Sequence, residues 1–183
     1  MFINFLTNFW VIQFIGVIAL FFIVLAFQGK TRKFILLVQV VSALFFIAHY
    51  FLLAATLGAI LNIIVAVRNL VFYYKKYDGA GHFFWLYSFM VISVLALVLF
   101  SNSWVSIFPV LGMIVGTYAL WNTKPSNIRL YFLISAICWI PYTILVHSYS
   151  GLATQIIVSV FVLFGIYRLD KHSAPLPSTR ITS

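Results

Sequence analysis

Seven runs of mostly apolar residues follow one another along the chain, separated by short polar stretches. The runs cover residues 9–28, 34–54, 57–75, 83–100, 104–121, 128–147 and 151–168. Each run has close to the roughly 20 residues that an α-helix needs to cross a bilayer. The pattern therefore predicts seven transmembrane helices, with SNSW (101–104) as the short break between the fourth and the fifth.

The composition agrees with a membrane protein. The chain is 64% hydrophobic and 7% charged, whereas a soluble domain carries about 25% charged residues. The chain has eleven Lys and Arg residues but only two acidic residues, which gives a net charge of +9. The basic residues stand singly or in small groups between apolar runs and form no continuous basic face, so we exclude nucleic acid as a partner.

The basic residues also predict the orientation in the membrane. With seven helices, the loops alternate between two sides, and ten of the eleven basic residues fall on one side: Lys30, Arg32, Lys33, Lys75, Lys76, Lys124, Arg129, Arg168, Lys171 and Arg180. The positive-inside rule makes this side cytoplasmic. We therefore expect an N-terminus outside and a C-terminus in the cytoplasm.

A stretch in the first half of the chain recurs 93 residues later. GAILNIIVAV (58–67) aligns with GLATQIIVSV (151–160), and residues 42–75 match residues 135–168 without a gap at eleven of 34 positions. IGVI (15–18) resembles LGMI (111–114) at a slightly larger offset of 96. Each repeat would thus contain three helices.

The repeat predicts a 3+1+3 plan. Because three is odd, an extra helix between the units is needed to give both the same orientation. We expect a first unit at 9–78, a linker helix at 79–103, a second unit at 104–171 and a polar tail at 172–183. The fold class is therefore all-α membrane protein with two parallel repeats, a plan of transporters that hold their solute near the midplane between the repeats.

Several motifs resemble a known family. SALFFIAHYFLLAATLGA and AVRN in the first half, with LGMIVGTYAL and CW (138–139) in the second, resemble the YgjV family of small bacterial inner-membrane proteins. This resemblance implies a multi-pass protein of the bacterial cytoplasmic membrane. It implies no particular biochemical activity.

The 3+1+3 plan also resembles the SWEET and SemiSWEET transporters. That resemblance implies that an aromatic residue on the second helix and a carboxamide on the third helix of each unit line a solute site. Phe46 precedes Asn62 by sixteen residues, and Trp139 precedes Gln155 by sixteen. Neither pair is the Trp–Asn combination of the sugar transporters, and the first helix lacks the proline of their hinge.

Polar side chains inside the runs supply the candidate substrate-binding residues. Asn62 and Gln155 could bind hydroxyl or amide groups of a solute, or they could hydrogen-bond between helices. Phe46 and Trp139 could stack on the solute or belong to the core. His49 and Tyr142, which are repeat partners, lie one turn further on and could face the same cavity or serve packing.

Arg68 is a charged residue within a predicted span. It could bind a carboxylate or phosphate of a substrate, act as a gate, or extend to the cytoplasmic surface. The second repeat has Phe161 at this place, so the charge is asymmetric. No acidic residue lies inside the predicted spans, since Asp78 and Asp170 are both outside them.

The sequence favours a transporter or facilitator of a small polar solute. We expect no enzyme activity, cofactor or metal, because no nucleophile–base pattern, phosphate-binding glycine loop or metal-ligand cluster appears. The alternatives are a receptor or assembly protein without transport, and a Pnu-type vitamin transporter, which shares the 3+1+3 plan. The expected partners are the lipid bilayer and the solute, while homo-oligomer formation stays open.

Overall fold

The computed structural model describes residues 8–27, 31–74, 81–101, 103–121 and 125–167. These residues form helices and no strand. The α-helices are α1 (Phe9–Phe27), α2 (Arg32–Leu52), α3 (Thr56–Tyr74), α4 (Gly81–Phe100), α5 (Ile107–Ala119), α6 (Pro125–Leu145) and α7 (Tyr149–Gly165). A 3₁₀ turn at Trp104–Ser106 leads into α5. The predicted tail at 172–183 and most of the basic loops lie outside the described residues.

Five of the seven helices are long and apolar enough to cross a membrane, namely α1, α2, α3, α4 and α6. The remaining two expected spans correspond to shorter apolar helices at Trp104–Ala119 and Tyr149–Phe164. α5 has 13 residues after its 3₁₀ turn, and α7 has 17 residues, whereas a helix needs roughly 20 residues to cross the hydrocarbon core. The hydropathy pattern thus predicted the seven helices seen among the described residues, of which five meet the length and hydropathy of a membrane span.

The helices pack in chain order. Each helix from α1 to α7 contacts its neighbours in sequence, α1 contacts α7, and α3 touches α5 beside α4. Among the five candidate spans, α3 has the largest buried share. In contrast, α4 exposes large apolar side chains such as Val91, Val98 and Leu99, as expected of a helix that faces lipid.

The turns from α2 to α3 and from α6 to α7 have the same backbone geometry. Ala54 has φ 55° and His147 has φ 53°, a left-handed conformation that is uncommon for residues other than glycine. Each residue lies in a three-residue turn closed by the same three backbone hydrogen bonds, and every bond in one turn has a counterpart 93 residues away. Turn geometry therefore follows the offset seen in the sequence.

Two serines join neighbouring helices in the same way. The hydroxyl of Ser42 on α2 donates to the carbonyl of Ala19 on α1 over 2.8 Å, and that of Ser135 on α6 donates to the carbonyl of Gly112 on α5 over 2.7 Å. Both donors and both acceptors are 93 residues apart. The offset between equivalent positions of α1 and α5 is thus 93, rather than the 96 that IGVI and LGMI suggest.

Candidate functional site

A cavity of about 150 Å³ lies between the helices and is lined by residues of every α-helix except α4. One water molecule needs about 10–15 Å³ of such volume, so the cavity has space for a solute with the volume of roughly ten waters. It is smaller than the roughly 300–1,000 Å³ typical of drug-sized ligand sites. The volume therefore suits a small metabolite.

Most of the lining consists of residue pairs that are 93 positions apart. The pairs are Ile23 with Gly116, Gln39 with Phe132, Ser42 with Ser135, Ala43 with Ala136, Phe46 with Trp139, Asn62 with Gln155, and Val65 with Val158. Equivalent positions of the two halves therefore face one common space.

Both carboxamides predicted from the sequence line this cavity. Asn62 is buried on α3, and its Nδ2 donates to the carbonyl of Gly58 in its own helix over 2.9 Å. That bond holds the side chain against the helix and leaves its Oδ1 oxygen as an acceptor. Gln155 is half-buried on α7. The two helices thus bring carboxamides from distant parts of the sequence to one cavity.

An aromatic wall contains Phe46, Tyr50 and Trp139, all of which line the cavity. The rings of Phe46 and Tyr50 are stacked with centroids 5.9 Å apart, and Tyr50 lies 6.4 Å from Trp139. Sequence reasoning found Phe46 and Trp139 but missed Tyr50. Its repeat counterpart is Thr143, so the two halves offered no matching aromatic residue at this position.

Arg68 also lines the cavity, and only 5% of its surface is exposed. Its Nε and Nη2 both donate to Asn69 Oδ1, over 3.2 and 3.1 Å, and its Nη1 donates to Thr117 Oγ1 over 2.9 Å. Nη1 also lies 3.8 Å from the sulfur of Met113. Asn69 in turn donates to Gln39 Oε1 over 3.1 Å. Burial and these partners show that the guanidinium does not extend to the protein surface.

His49 does not line the cavity but joins the two halves of the molecule. Its Nδ1 lies 2.8 Å from the carbonyl of Ile12, so Nδ1 carries the hydrogen and donates. Its Nε2 then accepts from the hydroxyl of Ser148, 2.7 Å away. Ser148 also accepts from the backbone N–H of Gly151 at the start of α7. A neutral histidine therefore satisfies all these groups.

Tyr142 makes the corresponding connection in the opposite direction and also lies outside the cavity lining. Its hydroxyl accepts from the backbone N–H of Gly58, in the first turn of α3, over 2.9 Å. His49 and Tyr142 are repeat partners, and each contacts the beginning of a helix in the other half. The two side chains thus form a crossed pair of contacts at the turn end, the end that carries the α2–α3 and α6–α7 turns.

Gln13 on α1 is a further residue that sequence reasoning missed. Its Nε2 donates to the carbonyl of His147 over 2.9 Å, and its Oε1 accepts from the backbone and hydroxyl of Ser150, over 3.0 and 3.1 Å. A glutamine within an apolar run was the available signal, because polar residues inside membrane helices usually have a structural or functional partner. The same signal applied to Gln39, Asn69 and Thr117.

Metal ligation finds no support in the part of the chain that the structure describes. No three His, Cys, Asp or Glu side chains come together there. Cys138 is a free, half-buried cysteine on α6. The cavity instead offers carboxamides, hydroxyls, aromatic rings and one guanidinium, which are groups that bind a polar organic molecule.

Comparison with known proteins identifies the family. A family model described as bacterial inner membrane protein, Imp-YgjV, matches residues 10–173. Searches among curated proteins and among solved structures gave no match. The match extends over nearly all of the seven helices and confirms the resemblance carried by the sequence motifs. The chain belongs to the Imp-YgjV family of bacterial inner membrane proteins.

Proposed function

We propose that the protein transports or facilitates passage of a small polar solute across the bacterial inner membrane. The two three-helix units, α1–α3 and α5–α7, would move against each other by alternating access, with α4 as the linker helix. The observation that carries this proposal is the cavity lined by seven residue pairs that are 93 positions apart. Parallel-repeat transporters place their solute at such an interface.

The internal symmetry of the contacts supports the 3+1+3 interpretation. The α2–α3 and α6–α7 turns share their hydrogen bonds, and Ser42 and Ser135 make equivalent bonds to the preceding helix. α4 contacts both α3 and α5, as a linker between two units should. These contacts favour two units with the same internal structure.

The contacts at the turn end suggest where the two units separate. Opening there would break the bond from Ser148 to His49 and the bond from Gly58 to Tyr142, because each joins one unit to the other. Both bonds involve the first residues of a helix, so a small rotation of α3 and α7 would break them. We propose that the present structure is closed at this end.

The proposal is tested by solute flux into liposomes that contain the purified protein. A thermal-shift screen of sugars, vitamins and nucleosides selects the solute, since binding to the folded state raises the melting temperature. Asn62→Ala and Gln155→Ala should each reduce flux of that solute by about fivefold, because each removes a polar contact worth about 1 kcal/mol.

The matched controls are Ile63→Ala and Ile156→Ala, the neighbouring residues that are 46% and 50% exposed. These variants should transport at the wild-type rate. Normal flux in both carboxamide variants would show that the assigned site is wrong. Solute binding without flux in the wild-type protein would instead favour the alternative, a receptor or assembly protein that uses the same fold.

A further inference from the structure

The positive charge of Arg68 has no carboxylate partner among the described residues. Its hydrogen-bond acceptors, Asn69, Thr117 and Met113, are all neutral. The two acidic residues of the sequence, Asp78 and Asp170, lie outside the described ranges and outside the apolar runs. Burying a charge without a counterion is unfavourable. A neutral hydrogen-bond network reduces this cost but leaves the charge in place.

Among the described residues that line the cavity, Arg68 is also the one with a charged side chain. The other lining residues are apolar side chains, hydroxyls and carboxamides. Electrostatic attraction is strong in such an environment because little water screens the charge. The cavity therefore favours a ligand with a single negative charge, because one negative charge neutralises the guanidinium and leaves no net negative charge in the cavity.

The polar network around Arg68, which joins α2 and α3 to α5, has no polar counterpart at the repeat-related positions. Arg68, Asn69, Gln39 and Thr117 correspond, at the offset of 93, to Phe161, Val162, Phe132 and Val24. All four counterparts are apolar. The cavity wall at Arg68 is therefore polar and charged, whereas the repeat-related positions are apolar. A ligand would therefore bind in one orientation.

The guanidinium retains hydrogen-bonding capacity for a ligand. It has five N–H donors, and the four contacts to Asn69, Thr117 and Met113 leave at least one of them without an acceptor among the described residues. The contact with the Met113 sulfur, at 3.8 Å, is a weak one that an oxygen acceptor would replace favourably. An entering carboxylate can thus accept from one or two N–H groups.

We propose that the cavity binds a small organic monoanion by its carboxylate at Arg68. Asn69, Thr117 and Gln39 hold the guanidinium in place, while Asn62, Gln155 and the aromatic wall contact the rest of the ligand. The volume of about 150 Å³ restricts the ligand to a small hydroxy acid or aryl acid. Transport of the anion would rest on the proposed function, whereas binding of the anion at Arg68 does not and is measured separately.

Matched pairs of acids and amides test the inference. Lactate with lactamide, and benzoate with benzamide, have nearly the same shape within each pair and differ in charge. Melting of the detergent-solubilised protein is followed against the concentration of each compound. We expect at least one acid to bind about 10- to 100-fold more tightly than its amide, the effect of a hydrogen bond to a charged group.

Variants assign that preference to Arg68. Arg68→Gln should remove the preference for the acid, and Arg68→Lys should retain part of it because the charge remains. Lys33→Gln is the matched control, since it removes one positive charge from an exposed position outside the cavity. It should leave the preference unchanged. Inorganic phosphate and dispersed phosphatidylglycerol are tested beside the acids to separate a carboxylate ligand from phosphate and lipid headgroups.

Several outcomes would overturn the inference. These are binding of neither acid, equal binding of acid and amide, a preference that survives in Arg68→Gln, and binding of phosphate or lipid in place of both acids. A loss of stability in Arg68→Gln with an unchanged preference would assign Arg68 to helix packing alone. Acid binding without flux would refute transport and leave this inference standing. Flux of neutral solutes without any preference for the acid would refute this inference and leave transport standing.

Discussion

At the scale of single residues, the interior is built from polar side chains that each satisfy a defined partner. His49 uses both ring nitrogens, Ser148 connects that ring to the start of α7, and Gln13 joins α1 to Ser150. Hydrogen bonds of this kind hold membrane helices together, because hydrophobic attraction between helices is weak in lipid. The contacts at the turn end thus carry specificity that apolar packing alone would not supply.

Tyr142→Phe tests the contact between the two halves at this end. The change removes the hydroxyl that accepts from Gly58 and leaves a buried N–H without this acceptor. We expect a loss of about 1–3 kcal/mol in the free energy of unfolding, the usual cost of such a group. Denaturant unfolding in detergent measures this loss of free energy. Tyr149→Phe is the control, because Tyr149 is 57% exposed. Equal losses in both variants would contradict the assigned role.

The partners of Arg68 lead to a second prediction at this scale. Asn69→Leu removes the acceptor of both Nε and Nη2, so a buried charge loses its main partner. We expect a loss of about 3 kcal/mol, because a charged buried donor without its acceptor costs more than the roughly 1–3 kcal/mol of a neutral one. Combining Asn69→Leu with Arg68→Met should recover part of this loss because the charge is then absent. The same unfolding measurement would refute the argument if the double variant were less stable than Asn69→Leu alone.

At the scale of helices, close approach of α5 to α6 determines one wall of the cavity. A Cβ atom at Gly112 would lie 2.7 Å from Cδ1 of Trp139 and 2.9 Å from the backbone carbonyl oxygen of Ser135. A backbone oxygen cannot move without moving α6. At Gly116 the corresponding nearest atom is the Ser135 hydroxyl at 3.0 Å, which can rotate. The two glycines are therefore not equivalent, although both line the cavity.

Gly112→Ala should consequently destabilise the protein more than Gly116→Ala. Overpacking of this kind costs about 1–3 kcal/mol, and the displaced Trp139 should also weaken binding of any solute in the cavity. The melting temperatures of the two variants in the same detergent provide the comparison. If Gly116→Ala proved the more harmful change, the assigned packing of α5 on α6 would be wrong.

At the scale of the whole molecule, the chain forms a ring of helices in sequence order, closed by the contact of α1 with α7. The cavity lies inside this ring, and α4 packs against α3 and α5. None of the described α4 residues lines the cavity, and many of its apolar side chains are exposed. The cavity is thus formed by the other six helices.

The orientation of this ring in the membrane is still a prediction from the basic residues. A cytoplasmic C-terminus requires that a fluorescent protein fused after Ser183 be fluorescent and that alkaline phosphatase fused there be inactive. Phosphatase fused before Phe9 should be active in the periplasm, in agreement with an outer N-terminus. The reverse activities would contradict the positive-inside assignment.

The amino-acid sequence by itself determined the all-helical class, the number of helices, the family and the 93-residue repeat, because apolar runs and repeated motifs depend on local residue order. It also identified five lining residues, namely Asn62, Gln155, Phe46, Trp139 and Arg68. The repeat identified the two carboxamides and the two aromatic residues, because equivalent positions of the repeated helices line the same cavity.

Only the tertiary structure decided which polar side chains face the cavity and which join the helices. His49 and Tyr142 shared the repeat signal, yet they contact helix starts across the two halves. Tyr50 and the network of Gln39, Asn69 and Thr117 came to the cavity region through helix packing between distant segments. Helical periodicity predicts the face on which a residue lies, but the partner on that face depends on how the other helices are placed.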